Sequence, residues 1–253
     1  MSRAARVVGI IPSRYGSSRL PGKPLKPIGG KPMIQRVYER AKLAKHLDSV
    51  TIATDDDRIA RVVEAFGGNY VMTSPEHPSG TDRLAEAVQR LDADIVVNIQ
   101  GDQPFMDPLM IEEAVQPLLA EPDLQMSTLM HPIAREEDLQ DPAVVKVVTD
   151  LTGNALYFSR SLLPYPRNAV AHKVYEHVGL YVYRKEFLLK LAQLPPTLLE
   201  RIESLEQLRV IEHGYKLRVI ESKVHDNAFS GFSVDTEGDL VRAEQMLRER
   251  GLE

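Results

Sequence analysis

The sequence predicts an α/β fold, a mostly parallel sheet flanked by helices. Three observations carry this. Short β-branched runs alternate with segments of helical period through the first hundred residues. Each run empties into a polar loop. The chain has 253 residues, 43% of them hydrophobic, enough for one sizeable core. That alternation is what right-handed βαβ crossovers produce, and in such sheets ligands sit at the carboxyl ends of the strands.

Residues 7–11 are a β-branched run and the first expected strand. They lead into a loop containing Arg14, Gly16, Arg19, Pro21, Gly22, Lys23 and Pro24. A shaped cationic loop after a strand suits phosphate, because main-chain N–H groups and basic side chains converge there. Its spacing is neither that of a P-loop nor that of a dinucleotide-binding turn. Residues 29–32 form a turn and 33–44 a helix; 50–53 form a strand ending in Asp55, Asp56 and Asp57. A helix over 58–65 stops at Gly67 and Gly68, and 70–72 form a third strand. A polar loop over 74–82 precedes a helix over 83–91, and 95–99 form a buried strand that runs into Gln100, Gly101 and Asp102. Four loops, at 13–23, 54–57, 74–82 and 100–103, are thereby expected at one sheet edge.

The second half is less regular. The spacing predicts a helix over 111–119, a strand over 126–130 and a hairpin of 144–148 with 155–158. Residues 163–167 form a loop, 178–183 a strand and 185–191 the start of a helix. An apolar period of 3.6 continues unbroken from Leu198 to Ile211 and predicts one helix over 198–213. A strand over 217–220 and a helix over 236–250, entered at Asp235, complete the chain. No repeat or linker interrupts it, so 1–253 is expected to be a single domain with an antiparallel elaboration at about 144–183.

The formal net charge of −5 argues against a general nucleic-acid binder and favours a small anionic substrate held by a local cationic loop. The absence of cysteine removes disulfides, thiolate zinc sites and thiol nucleophiles. The basic N-terminus is followed by an apolar run too short for a secretory signal, and no stretch approaches the ~20 apolar residues of a membrane span. The chain reads as soluble and cytoplasmic. There is no nucleophile elbow and no zinc-protease histidine spacing.

Asp102, ending a buried strand, suits a Mg2+ ligand, since this hard cation takes carboxylate oxygen and keeps waters. A helix-capping role is the plainer alternative. Asp235, with Glu237 two residues on, reads on composition alone as an N-cap. Arg83 suits an intrahelical pair with Asp82 or Glu86, and Asp55 to Asp57 a helix-start charge cluster. His172, Lys173, Glu176 and His177 suit an exposed loop; Tyr181 and Tyr183 suit packing on one strand face.

The stretch from Ile11 to Leu25 (IPSRYGSSRLPGKPL) closely resembles the signature of the sugar-acid cytidylyltransferases. Six further blocks follow in that family's order: Ser79 to Glu86, Asn98 to Asp102, Val144 to Val148, Ala155 to Arg160, His177 to Tyr181, and Leu205 to Arg209. Val234-Asp235-Thr236 completes the series. The resemblance implies a Rossmann-like fold of the GT-A nucleotidyltransferase type. It also implies the reaction of CTP with 3-deoxy-manno-octulosonate (KDO) to give CMP-KDO and pyrophosphate, with Mg2+, in a homodimer that serves lipopolysaccharide biosynthesis.

Carried over by position, the resemblance puts Pro12, Ser13, Arg14, Arg19, Lys23, Ser79, Gly80, Thr81, Arg83 and Gln100 at CTP. It puts Asp102 and Asp235 at the metal, with Arg14 and Lys23 among the catalytic groups. It puts Gln100, Arg160, Arg167, His177, Tyr181, Glu206 and Gln207 at the sugar acid. One departure is visible: Gln103 stands where the family commonly has Glu, which leaves Asp102 intact. The alternatives weighed are a cytidylyltransferase for 8-amino-KDO or sialic acid, a nucleotide-binding relative without catalysis, and a GT-A glycosyltransferase. The blocks at His177, Tyr181 and Glu206 favour KDO over sialic acid. Retention of Lys23, Asp102 and Asp235 argues against lost catalysis. The Asp55 to Asp57 run is too early and too close to a helix start for the glycosyltransferase Asp-x-Asp motif.

Overall fold

A computed structural model describes residues 3–16, 19–224 and 227–251. Ser17 and Ser18 of the signature stretch lie outside the described residues. In chain order the elements are β1 (Val7–Ser13), β2 (Pro27–Ile28), β3 (Lys31–Pro32), α1 (Met33–Ala41), β4 (Ser49–Thr54), α2 (Asp57–Ala65), β5 (Tyr70–Met72), α3 (Gly80–Gln89), β6 (Ile95–Asn98) and α4 (Pro108–Ala120). There follow β7 (Met126–Pro132), β8 (Lys146–Thr149), β9 (Ala155–Ser159), β10 (Tyr175–Arg184), α5 (Lys185–Leu191), α6 (Leu198–Glu203), α7 (Gln207–Glu212), β11 (Arg218–Glu221), α8 (Asn227–Ser230) and α9 (Glu237–Glu249). The contacts gather into two compact units, one of Met1–Glu112 with Val224–Glu253 and one of Glu113–Lys223.

In the first unit β6, β1, β4 and β5 pair in parallel in that order, as the alternation requires. The register sets Pro12 beside Ala53, Ser13 beside Thr54, and Ile10 beside Asn98. β1 and β6 are buried on both faces, which is why they read as continuous apolar runs rather than alternating ones. A core cluster of Leu20, Ile28, Met33, Phe105, Val234, Leu240, Ala243 and Leu247 draws the signature loop, α1, the segment after β6 and α9 together.

In the second unit β11 pairs in parallel with β7, β7 pairs antiparallel with β10, and β8 bridges β10 and β9 antiparallel. The β8–β9 hairpin is closed by Asp150, whose Oδ1 accepts from the Thr152 and Asn154 N–H groups at 2.8 and 2.9 Å. The main-chain bond from Asn154 leads the contacts that pull the Asp150 carboxyl down to about 2. Gly153, at φ +80°, takes the left-handed turn that a side chain resists.

Two expectations are corrected. The helix expected over 198–213 is two helices, α6 and α7, separated at Ser204, which has φ +52°. Arg160, 43 residues upstream of Glu203, supplies the reason. Its Nε donates to the Glu203 carbonyl at 2.7 Å and its Nη2 to the Ser204 carbonyl at 3.4 Å, acceptors that a continuing helix would have used. The final helix is capped by Thr236 rather than Asp235. The Thr236 hydroxyl accepts from Asp239 N–H at 3.2 Å, and the Asp239 carboxylate accepts from Thr236 N–H at 2.8 Å. No helix among the described residues is long and apolar enough to cross a membrane.

Thr236→Ala removes the cap hydroxyl and is expected to cost about 1 kcal/mol of stability in chemical denaturation, with Thr236→Ser close to the parent chain.

Candidate active site

Of the residues read as functional, those in the first unit form two adjoining groups. The first is a pocket of about 180 Å³ lined by Pro12, Ser13, Arg14, His77, Pro78, Ser79, Gly80 and Arg83. Pro12, Ser13 and Arg14 arrive at the end of β1, and Ser79 caps α3 by accepting from Asp82 N–H at 3.1 Å. Arg83 is buried, and its partners are not on its own helix as expected. Its Nη2 pairs with Asp55 at 2.9 Å and its Nη1 donates to Thr73 Oγ1 at 2.6 Å. The pair ties the loops after β4 and β5 to α3 and leaves Asp56, not Asp55, to cap α2. Arg14 is exposed and has no ion-pair partner among the described residues, so a cationic group faces the pocket uncommitted. The Ser13 hydroxyl is buried and has no hydrogen-bond partner among the described residues.

The second group is a charge cluster. Lys23 Nζ lies 2.9 Å from Asp102 Oδ2 and 3.1 Å from Asp235 Oδ1, and Arg19 Nη2 lies 2.9 Å from the same Asp235 oxygen. The Lys23 side chain is only 16% exposed. It leaves a 3₁₀ turn, Lys23–Leu25, that follows Gly22 in the left-handed region at φ +67°. A Cβ at Gly22 would stand 3.1 Å from the Tyr15 ring, so that turn needs glycine on both counts. Asp102 and Asp235 are joined through the backbone as well, since Val234 N–H donates to the Asp102 carbonyl at 2.9 Å. Gly101 permits the approach: a Cβ there would lie 3.0 Å from the Pro12 carbonyl oxygen. Thr81 is buried in α3, and Gln100 lies part-exposed just before Gly101.

The second unit holds the remaining residues. His177 Nε2 lies 3.1 Å from Thr128 Oγ1, with Phe158 at 5.0 Å and Tyr181 at 5.4 Å between ring centroids. The Thr128 hydroxyl also lies 3.0 and 2.8 Å from the Val178 and Leu180 carbonyls, to which it donates. Its oxygen therefore accepts from His177, which fixes the Nε2–H tautomer and leaves Nδ1 as an acceptor. Burial drives the His177 imidazole down to about 3 and the Tyr181 phenol well above its ordinary range. His177 is thus a neutral, oriented ring within β10 rather than part of an exposed loop, whereas His172 and Lys173 are exposed as expected. Arg160 spends Nε and both terminal nitrogens on the carbonyls of Glu203, Pro142 and Ser204, and its N–H on the Glu203 carboxylate at 3.0 Å. Glu206 lies 3.8 Å from Arg209, and Gln207 is buried. Arg167 lies on the exposed loop before β10, apart from that cluster.

The described family Cytidylyltransferase matches residues 8–220. The chain is 52% identical over 251 residues to the 3-deoxy-manno-octulosonate cytidylyltransferase of Syntrophotalea carbinolica, covering 96% of this chain and 98% of that one. The chain belongs to the cytidylyltransferase family. It is 50% identical over 246 residues to the 8-amino-3,8-dideoxy-manno-octulosonate cytidylyltransferase of Shewanella frigidimarina, covering 96% and 98% of the two chains. Among solved structures it resembles a CMP:2-keto-3-deoxy-manno-octonic acid synthetase complexed with CTP, with a TM-score of 0.92 and 45% identity over 97% of this chain and 100% of that one. This cytidylyltransferase is accordingly a nucleotidyltransferase of the fold that the resemblance implied.

Several residues escaped sequence reasoning. His77 and Pro78 line the pocket, and the loop that carries them was the available signal. His77 Nε2 lies 2.5 Å from Glu86, whose carboxyl is held below the usual range first by Ser74 N–H and then by His77. Asp55, Thr128 and Glu203 act through partners 28 to 49 residues away, at no fixed spacing. The donor chemistry of the charge cluster fits Mg2+. A cation already bridges two carboxylates there, and magnesium is commonly held by one or two carboxylates with phosphate and water oxygens completing the shell. No group of three or more His, Cys, Asp and Glu suited to a metal occurs among the described residues.

The folded pKa of His177 lies below its unfolded value of about 6.5, so the unfolded chain takes up the proton first. Stability is therefore expected to fall as pH drops from about 6.5 toward 3, and His177→Gln to flatten that part of the curve. A nitrogen chemical shift showing a protonated His177 ring in the folded chain at pH 5 would contradict this.

Proposed function

We propose that the chain transfers a cytidylyl group from CTP to the sugar acid KDO, giving CMP-KDO and pyrophosphate, for lipopolysaccharide biosynthesis in the cytoplasm. The observation that carries this reading is the Lys23 bridge between Asp102 and Asp235 beside the Arg14 pocket, in a chain about half identical to relatives named for that activity. In the reaction the anomeric hydroxyl oxygen of the sugar bonds to the α-phosphorus, the bond from that phosphorus to the bridging oxygen of pyrophosphate breaks, and the hydroxyl proton is lost. Pro12, Ser13, Ser79, Gly80, Thr81, Arg83 and Gln100 are assigned to the nucleotide, with the orphan Ser13 hydroxyl a ready donor or acceptor inside the pocket.

Arg14, Arg19 and Lys23 supply positive charge to the triphosphate, and their value in the transition state is charge already in place as pyrophosphate departs. Asp102 and Asp235 would hold Mg2+. When bound, that ion neutralises phosphate oxygens and orients them for in-line displacement. Lys23, held by both acids, then has its ammonium free to turn toward phosphate.

The sugar acid is assigned to His177, Tyr181, Glu206 and Gln207, with Arg160, Arg167 and Gln100. Neutral His177 offers a hydrogen-bond acceptor at Nδ1 without adding charge, which suits hydroxyls. Arg160, committed to three carbonyls, suits shaping the pocket through residues 203 and 204, and this shifts the carboxylate-pairing role toward Arg167. A relative named for 8-amino-3,8-dideoxy-manno-octulosonate, at 50% identity, makes that amino sugar acid the second reading.

Pyrophosphate release measured with CTP and each of KDO, 8-amino-KDO and sialic acid is expected to be fastest with KDO. Asp102→Asn should lower it by at least a hundredfold, and near-normal turnover in that variant would remove Asp102 from the metal role.

We also propose a homodimer formed through the β8–β9 hairpin. Among the described residues β9 pairs as a strand with β8 alone and, beyond the Ala155 N–H bond to the Leu217 carbonyl at its start, presents an edge, and Leu151 and Leu156 stand exposed on the hairpin, Leu156 at 58%. Light scattering is expected to give twice the 28.4 kDa of one chain, and Leu156→Lys to shift the mass toward the monomer.

A further inference from the structure

A cavity of about 270 Å³, larger than the phosphate-side pocket, opens elsewhere in the first unit. It is lined by Pro104, Phe105, Phe229 and Leu247, by Leu43, and by Arg36, Glu39 and Arg40 of α1. The two phenylalanines stack face to face at 4.6 Å, with planes 5° apart. The Arg250 guanidinium lies 4.1 Å from the centroid of Phe229, which stiffens the stack.

The polar side is cationic. Arg40 commits Nε to the Met106 carbonyl at 3.1 Å, and its terminal nitrogens have no hydrogen-bond partner among the described residues. Arg36 is fixed by the Ile28 and Gly29 carbonyls. Glu39 also lines the cavity, and its carboxylate is shared: it accepts from Lys31 at 2.7 Å and from Gln35 at 2.8 Å and lies in the field of Arg36. Arg36 and Arg40 thus line the cavity with one carboxylate, Glu39, in a chain whose net charge is −5. An aromatic floor with one anchored guanidinium at the mouth is the composition of a site for a small ligand with an apolar body and a single anionic end.

We propose that this cavity binds a small amphipathic carboxylate, its apolar body against the Phe105–Phe229 stack and its carboxylate on the terminal nitrogens of Arg40. The site is separate from the nucleotide pocket and from the Lys23 cluster, and it does not rest on the reading of their substrates. A nucleotide is the poorer occupant, since the walls offer no hydrogen-bonding edge to a base.

The test uses 2-naphthoate, whose fluorescence is read without interference because the chain contains no tryptophan. Saturable binding with one site per chain is expected, undiminished by saturating CTP and Mg2+. The neutral 2-naphthamide should bind at least tenfold more weakly. Arg40→Gln should weaken naphthoate binding at least tenfold. Leu43→Glu, at a rim position 61% exposed where folding is not at issue, should do the same by placing an anion at the mouth. Displacement of the probe by CTP, equal binding of acid and amide, unchanged binding by Leu43→Glu, or no saturable binding would each overturn the proposal. Turnover of CTP plays no part in these readouts, so failure here leaves the catalytic reading untouched.

Discussion

The Lys23 ammonium between Asp102 and Asp235 is the contact on which the candidate site depends. Two carboxylates drawn together in a partly dry setting repel, and the energy rises as water is excluded. The structure meets this with one largely buried lysine and with Arg19 on the outer side of Asp235. The carboxylates are 133 residues apart in sequence, yet Val234 N–H on the Asp102 carbonyl makes their segments neighbours by backbone alone.

Apolar packing sets this geometry. Leu20 lies three residues before Lys23, Phe105 three after Asp102, and Val234 immediately before Asp235, and all three belong to one buried cluster with residues of α1 and α9. Burying these side chains therefore fixes where the polar groups emerge. The N-cap of α9 completes the arrangement. Thr236 and Asp239 satisfy the helix end between them, so the Asp235 carboxylate is not consumed by the helix that follows it.

The second unit follows a different logic. Its buried candidate His177 is oriented by neutral contacts rather than by opposed charges. Thr128, committed to two carbonyls, can only accept from His177, and Phe158 and Tyr181 pack against the ring. Arg160 stabilises the break between α6 and α7, which turns Glu206 and Gln207 onto a new helix instead of a continuation of the old one. Charge pairing and pocket shape are thereby assigned to different parts of one chain.

The sequence by itself determined the order of strands and helices in the first hundred residues, because β-branched runs, helical period and Gly or Pro stops are local properties. It also determined which loops end the strands, hence that Arg14, Ser79 and Asp102 belong to one sheet edge, and the block pattern identified the family. Tertiary structure alone decided which acid is a cap and which is free. Asp235 and Thr236 are equally good caps by composition, and only the Asp239 carboxylate and the Lys23 ammonium distinguish them. It decided that Arg83 reaches Asp55 rather than its own helix, and that an unbroken apolar period from 198 to 211 is cut at Ser204. The physical reason is the same each time. Hydrogen bonds and ion pairs between residues tens of positions apart leave no periodic trace in the chain, whereas burial of one face of an element repeats along it.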